Sequence, residues 1–113
     1  MKYIIPFLPN SLNKYAGRKN EWAYREEKKM WEKIIYAYCK PPVNPIEKAI
    51  VTLTYFFKTK VRHDPDNYSG KIILDGLTAR GIIKDDSFDC IELRLRCGGV
   101  DKNPRTEIEV EAV

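Results

Sequence analysis

At 113 residues the chain has room for one domain with a single modest core and not for two. Its composition is 43% hydrophobic and 32% charged, without low-complexity tracts or internal repeats, which excludes a disordered or repeat-built chain and leaves an ordinary globular protein. A net charge of +4 is mildly basic, so it permits a nucleic-acid partner without demanding one.

Met1 to Phe7 reads as a strand ended by Leu8-Pro9-Asn10, and its apolar run is too short for a signal peptide or a membrane span. A polar loop follows from Asn10 to Gly17; with Arg18, it either offers Lys14 and Arg18 as contacts to DNA or is merely a mobile connection. A helix is expected from about Asn20 to Cys39. Met30, Trp31, Ile34, Ile35 and Tyr38 fall on one face of it, and Pro41-Pro42 end it. Trp22, Tyr24, Trp31, Tyr36 and Tyr38 supply either rings for base stacking or material for a core or dimer interface. The cysteines, Cys39, Cys90 and Cys97, are odd in number and lack metal-ligand spacing, as expected of reduced thiols in a cytosolic (cytoplasmic) protein.

Ala49 to Arg62 predicts a long strand, with Val51, Leu53, Tyr55 and Phe57 on one face. Thr52, Thr54, Phe56, Lys58, Lys60 and Arg62 fall on the other, and the three cations there form either a phosphate track or a charged edge. A second helix is expected from near Asn67 to Arg80, closed by Gly81. Asp89 to Cys97 predicts another strand, Gly98-Gly99 a hairpin connection, and Arg105 to Ala112 the last strand. Antiparallel pairing of these two would set Glu107, Glu109 and Glu111 near Arg94 and Arg96. The order β-α-β-α-β-β predicts an α/β (α+β) fold, a mixed sheet of about four strands with two helices packed on one face.

The chemistry concentrates in Arg62-His63-Asp64-Pro65-Asp66-Asn67 and in Lys84-Asp85-Asp86. These four carboxylates are expected to converge on two loops flanking the second helix. Mg²⁺ takes oxygen ligands and keeps several waters, so two or three carboxylates near one point suffice for phosphodiester cleavage. The alternative is structural: Asp64 as an N-cap before Pro65, and Asp85-Asp86 as a solvated turn. His63 suits either proton transfer or a polar strand end, and Asn67 either orients a carboxylate or caps the helix.

The string from Arg62 to Asn67, with Lys71, Leu74-Asp75-Gly76-Leu77, Gly81-Ile82-Ile83 and Asp85-Asp86, resembles the RusA family of Holliday junction resolvases. Pro9-Asn10-Ser11-Leu12-Asn13 is similar to that family's N-terminal element. The resemblance spans most of residues 1–113 and implies one RusA-like nuclease domain. It implies a homodimer of the phage and prophage type, acting in DNA recombination and repair. The activity implied is paired nicking of four-way junction DNA, dependent on Mg²⁺ with Mn²⁺ as a substitute. By position, Asp64, Asp66 and Asp86 match the metal-binding catalytic aspartates and Lys71 the catalytic lysine.

One departure bears on Lys71. The family spacing puts the lysine four residues after the second aspartate, and here the interval from Asp66 is five. In a helix regular from Asn67, that rotates Lys71 by roughly 140° rather than 40° and turns it from the metal. Tyr68-Ser69-Gly70 absorbs the extra residue if the helix starts later; otherwise Lys71 pairs with Asp75. Two other functions fit the same residues: a DNA-binding protein without cleavage, and a different metal-dependent phosphodiesterase, including one acting on RNA.

Overall fold

The computed structural model describes residues 1–15 and 21–113. The elements are β1 (Lys2–Ile5), a 3-10 turn (Leu12–Tyr15), α1 (Glu21–Tyr38), β2 (Ala49–Phe57), a second 3-10 turn (Pro65–Tyr68), α2 (Lys71–Arg80), β3 (Ile91–Val100) and β4 (Arg105–Ala112). The four strands form one mixed sheet in the order β1-β4-β2-β3. β4 runs antiparallel to both β1 and β2, while β2 and β3 are parallel with α2 in the crossover between them. This is the expected α+β architecture. Among the described residues no helix is long and apolar enough to cross a membrane.

The alternation of β2 sends Val51, Leu53, Tyr55 and Phe57 into the core, where they meet Ile5, Ile108 and Val110 of the neighbouring strands and Ile72, Ile73 and Leu77 of α2. α1 contributes Trp31 and Ile35, with Glu27 on the same i, i+4 line. Met30 and Tyr38, expected on that stripe, are exposed. Met30 lies about 100° to the side of Trp31. Tyr38 closes the helix with its ring edge-on to Phe7, centroids 6.1 Å apart. Gly76 lets the two helices approach: a Cβ there would stand 2.4 Å from Ile35 Cδ1.

Three expectations are corrected. β2 stops at Phe57 instead of Arg62, so Lys58, Lys60 and Arg62 share no strand face; all three are exposed on the connection beyond it. The strand ends where its partners end, at Val100 on one side and Arg105 on the other. Gly98-Gly99 does not open a hairpin. The register shifts between Tyr55 and Phe56, which pair with Cys97 and Gly99, and leaves Gly98 as the extra residue. A Cβ on Gly98 would meet the Phe56 ring at 2.5 Å. Finally, β3 and β4 are not neighbours, because the connection from Val100 to Arg105 passes over the end of β2, where the Asp101 N–H donates to the Phe57 carbonyl at 2.9 Å. Arg94 and Arg96 therefore lie beside Thr52 and Thr54, with β2 between them and the β4 glutamates. Arg94 instead meets Glu92 of its own strand, and Glu107 meets Lys2 and Arg105.

Candidate active site

Asp64 precedes the 3-10 turn Pro65–Tyr68 in extended backbone, φ −99° and ψ 137°, and its side chain makes no capping hydrogen bond. The expected cap is thereby corrected: the position is that of an N-cap, but the carboxylate is not used as one. It is half-buried and accepts from Arg62 Nε at 2.9 Å. That bond, followed by the nearby charges of Asp64 and Asp66, favours the charged guanidinium and raises the Arg62 pKa. Asp66 is exposed one turn position further on.

An open polar cleft of about 420 Å³ lies here, lined by Ser11, Arg62, His63, Asp64, Asn67 and Tyr68. Ser11 reaches it because α1 holds the loop before it. Glu27, a buried carboxylate, accepts from the Asn10 backbone N–H at 3.0 Å and from Asn10 Nδ2. Sequence reasoning passed over Glu27. Its signal was an acid on the apolar line of Trp31 and Ile35, where only a partnered carboxylate is tolerated.

Gly70 separates the 3-10 turn from α2. It sits at φ +82°, a left-handed conformation suited to glycine, and α2 begins at Lys71. The helix is thus not regular from Asn67, and the extra residue is absorbed in the break, with Gly70 at the N-cap position. Lys71 occupies the first helical position, exposed, with Nζ 3.9 Å from Asp75 Oδ2. Asp75 also receives Lys28 at 3.6 Å, which ties α2 to α1.

The acidic pairs do not converge within one chain. After α2 the backbone runs beside Ile46: Ile46 N–H donates to Ile82 O and Lys84 N–H to Ile46 O. The next turn joins the start of β2, where Ala49 N–H donates to Cys90 O. Asp85 and Asp86 therefore lie toward the end of the sheet where β2 begins. Asp64 lies toward the other end, against Phe57, Leu95 and Cys97. Between these two ends, β2 from Ala49 to Tyr55 spans roughly 20 Å at about 3.3 Å per residue. Consistently, no group of three His, Cys, Asp or Glu among the described residues is placed to hold one ion. Of the proposed DNA contacts, Lys14, Lys58, Lys60 and Arg62 are exposed, and Arg18 lies outside the described residues.

A second, smaller cleft abuts the polar one. It has a volume of about 80 Å³ and is walled by Tyr55, Phe57, His63 and Tyr68, with Asp64 and Leu95 also lining it. The His63 ring stacks on Phe57 at 3.6 Å and 6°, and Tyr68 stands edge-on to both. Among the described residues the Tyr55 hydroxyl and His63 Nε2 are buried without hydrogen-bond partners. Each such orphan costs about 1–3 kcal/mol. Burial, with Tyr68 beside it, raises the Tyr55 pKa far above that of a free phenol. This cleft was not foreseen, because it is assembled from two strands and a loop distant in sequence.

No protein-family model and no curated sequence matches this chain.

Proposed function

We propose that this chain is a metal-dependent endonuclease acting on branched DNA, of the kind its resemblance to the RusA resolvases implies. One observation carries the reading: Asp64 stands at a capping position yet leaves its carboxylate uncapped, in an open polar cleft at the end of a basic connection. A residue conserving only the fold would be expected to cap the turn it precedes.

The donors fit Mg²⁺ in kind. Asp64 and Asp66 offer hard carboxylate oxygens two residues apart, and Mg²⁺ needs only one or two carboxylates beside water and phosphate oxygens. When bound, such an ion neutralises phosphate charge and activates a water for attack. Arg62 orients the Asp64 carboxylate through its Nε, and Asn67 lines the cleft from the following turn. Lys58 and Lys60 are exposed on the same connection and would contact flanking phosphates. Lys71, exposed at the start of α2, is the cation proposed to meet the leaving oxygen once DNA displaces it from Asp75.

Asp86 enters through a second copy. The roughly 20 Å along β2 between the acidic pairs is too long for one chain to close. A two-fold homodimer that lays the Asp85-Asp86 end of one chain against the Asp64-Asp66 end of the other would complete both sites at once. Two matched sites suit the two-fold symmetry of a four-way junction.

The same separation favours one alternative, a DNA-binding protein without cleavage. A nicking assay decides between them. A synthetic four-way junction, linear duplex and RNA are incubated with the full chain in Mg²⁺ and in EDTA. Paired nicks confined to the junction and to Mg²⁺ are expected. Salt-sensitive binding with no nick in either condition would select the alternative, and cleavage of RNA in preference would select a different phosphodiesterase.

A further inference from the structure

We infer that the small aromatic cleft beside Asp64 receives a single nucleobase drawn out of the stack, so that the protein holds the DNA by one extruded base as well as by its phosphates. The inference rests on the nuclease reading and adds a base-binding site to it. Four rings wall the cleft, those of Tyr55, Phe57, His63 and Tyr68. Ring faces bind any base by stacking, and enzymes that act on nucleic acid hold extruded bases between such walls. The volume of about 80 Å³ is several times the roughly 10–15 Å³ that one water requires, the scale of a flat ring and not of a base pair.

The polar atoms narrow the ligand further. Tyr55 is only 3% exposed, and its hydroxyl and His63 Nε2 are both buried without hydrogen-bond partners among the described residues. A purely apolar ligand would leave both unsatisfied. A phosphate would gain Arg96 at the rim but face the Asp64 carboxylate and four aromatic rings, which offer it nothing. A base edge carries donors and acceptors on a flat apolar body, which answers both needs once the His63 ring shifts from Phe57 to uncover the two enclosed atoms. The setting agrees. The two clefts share His63, Asp64 and Tyr68, so a strand whose sugar-phosphate lies in the polar cleft has its base at the mouth of the aromatic one.

The test separates this site from the nuclease reading by measuring binding in EDTA, where nothing is cut. A labelled synthetic four-way junction is titrated with the full chain by fluorescence anisotropy, and an abasic nucleotide is moved one position at a time through the nucleotides flanking the crossover. At one position the abasic junction is expected to bind at least about fivefold more weakly, the lower end of a base-stacking contribution. Tyr55→Phe and His63→Ala should bind the intact junction more weakly and lose less at that position than the unaltered chain. If no position costs more than about twofold while binding stays tight and salt-dependent, the base site is overturned and the nuclease reading stands. If junction and duplex alike go unbound, both fall. The abasic scan uses the unaltered chain, so it decides the matter even if a variant misfolds.

Discussion

Asp64 and Asp66 differ in surroundings although they are two residues apart. Asp64 is half-buried, hydrogen-bonded to Arg62 and shared by both clefts, while Asp66 is exposed on the turn. Asp66→Asn should therefore lower junction nicking by about two orders of magnitude or more, since a metal-held water is worth several kcal/mol. Junction binding, supplied by Lys and Arg contacts, should persist. Nicking, gel-shift and thermal melting on one preparation check this; a large drop in melting temperature would return Asp66 to a structural role. Glu27 should behave in the opposite way. Glu27→Ala removes the acceptor of the Asn10 donors from a buried site and should cost about 1–3 kcal/mol, read by urea unfolding.

Between β2 and α2 the chain changes direction at Gly70. Gly70→Ala meets two obstacles: φ +82°, and a Cβ 2.3 Å from Leu53 Cδ1 in the core. The left-handed conformation alone costs roughly 1–2 kcal/mol and the overpacking about 1–3 kcal/mol more, so a loss of about 2–5 kcal/mol in urea unfolding is expected. The basic connection beyond Phe57 is tested separately. If Lys58 and Lys60 each touch phosphate, neutralising both should flatten the log–log salt dependence of junction binding by about two. An unchanged slope would remove them from the interface. These elements also show how far sequence alone could be read. Alternation from Ala49 to Phe57 identified the central strand and its inward face. It could not locate the strand's end, because Thr59 and Val61 continue the pattern after β3 and β4 have run out of pairing residues. Pairing partners were equally hidden: β3 and β4 alternate as a hairpin would, yet the connection between them steps across β2. Asp64 and Asp66 were legible because their relation is local. The distance to Asp86 was not, since it depends on where the chain goes between the two loops in three dimensions.

For the whole molecule, the placement of the two acidic ends makes a prediction that a self-sufficient monomer does not. Asp66→Asn and Asp86→Asn should each be inactive alone. Mixed and allowed to exchange subunits, they should recover up to about a quarter of normal sites per chain, because half the dimers are mixed and each holds one intact site. Recovery of single nicks in a junction assay would establish shared sites; no recovery despite proven subunit exchange would place all three carboxylates in one chain. The sheet order has a further consequence, for how the chain acquires its shape. Among the described residues β1 pairs with β4 alone, so Lys2 must wait for Glu109 and the Met1 amino group for the Val110 carbonyl. Since β4 also forms one flank of β2, the last strand in the sequence is the wedge that joins the first to the middle. Closing a loop of that length before any reward slows folding and exposes unpaired strands meanwhile. During synthesis, the sheet can close only after residues 105–112 have left the ribosome, and until then β1 and one edge of β2 are open to any neighbouring chain.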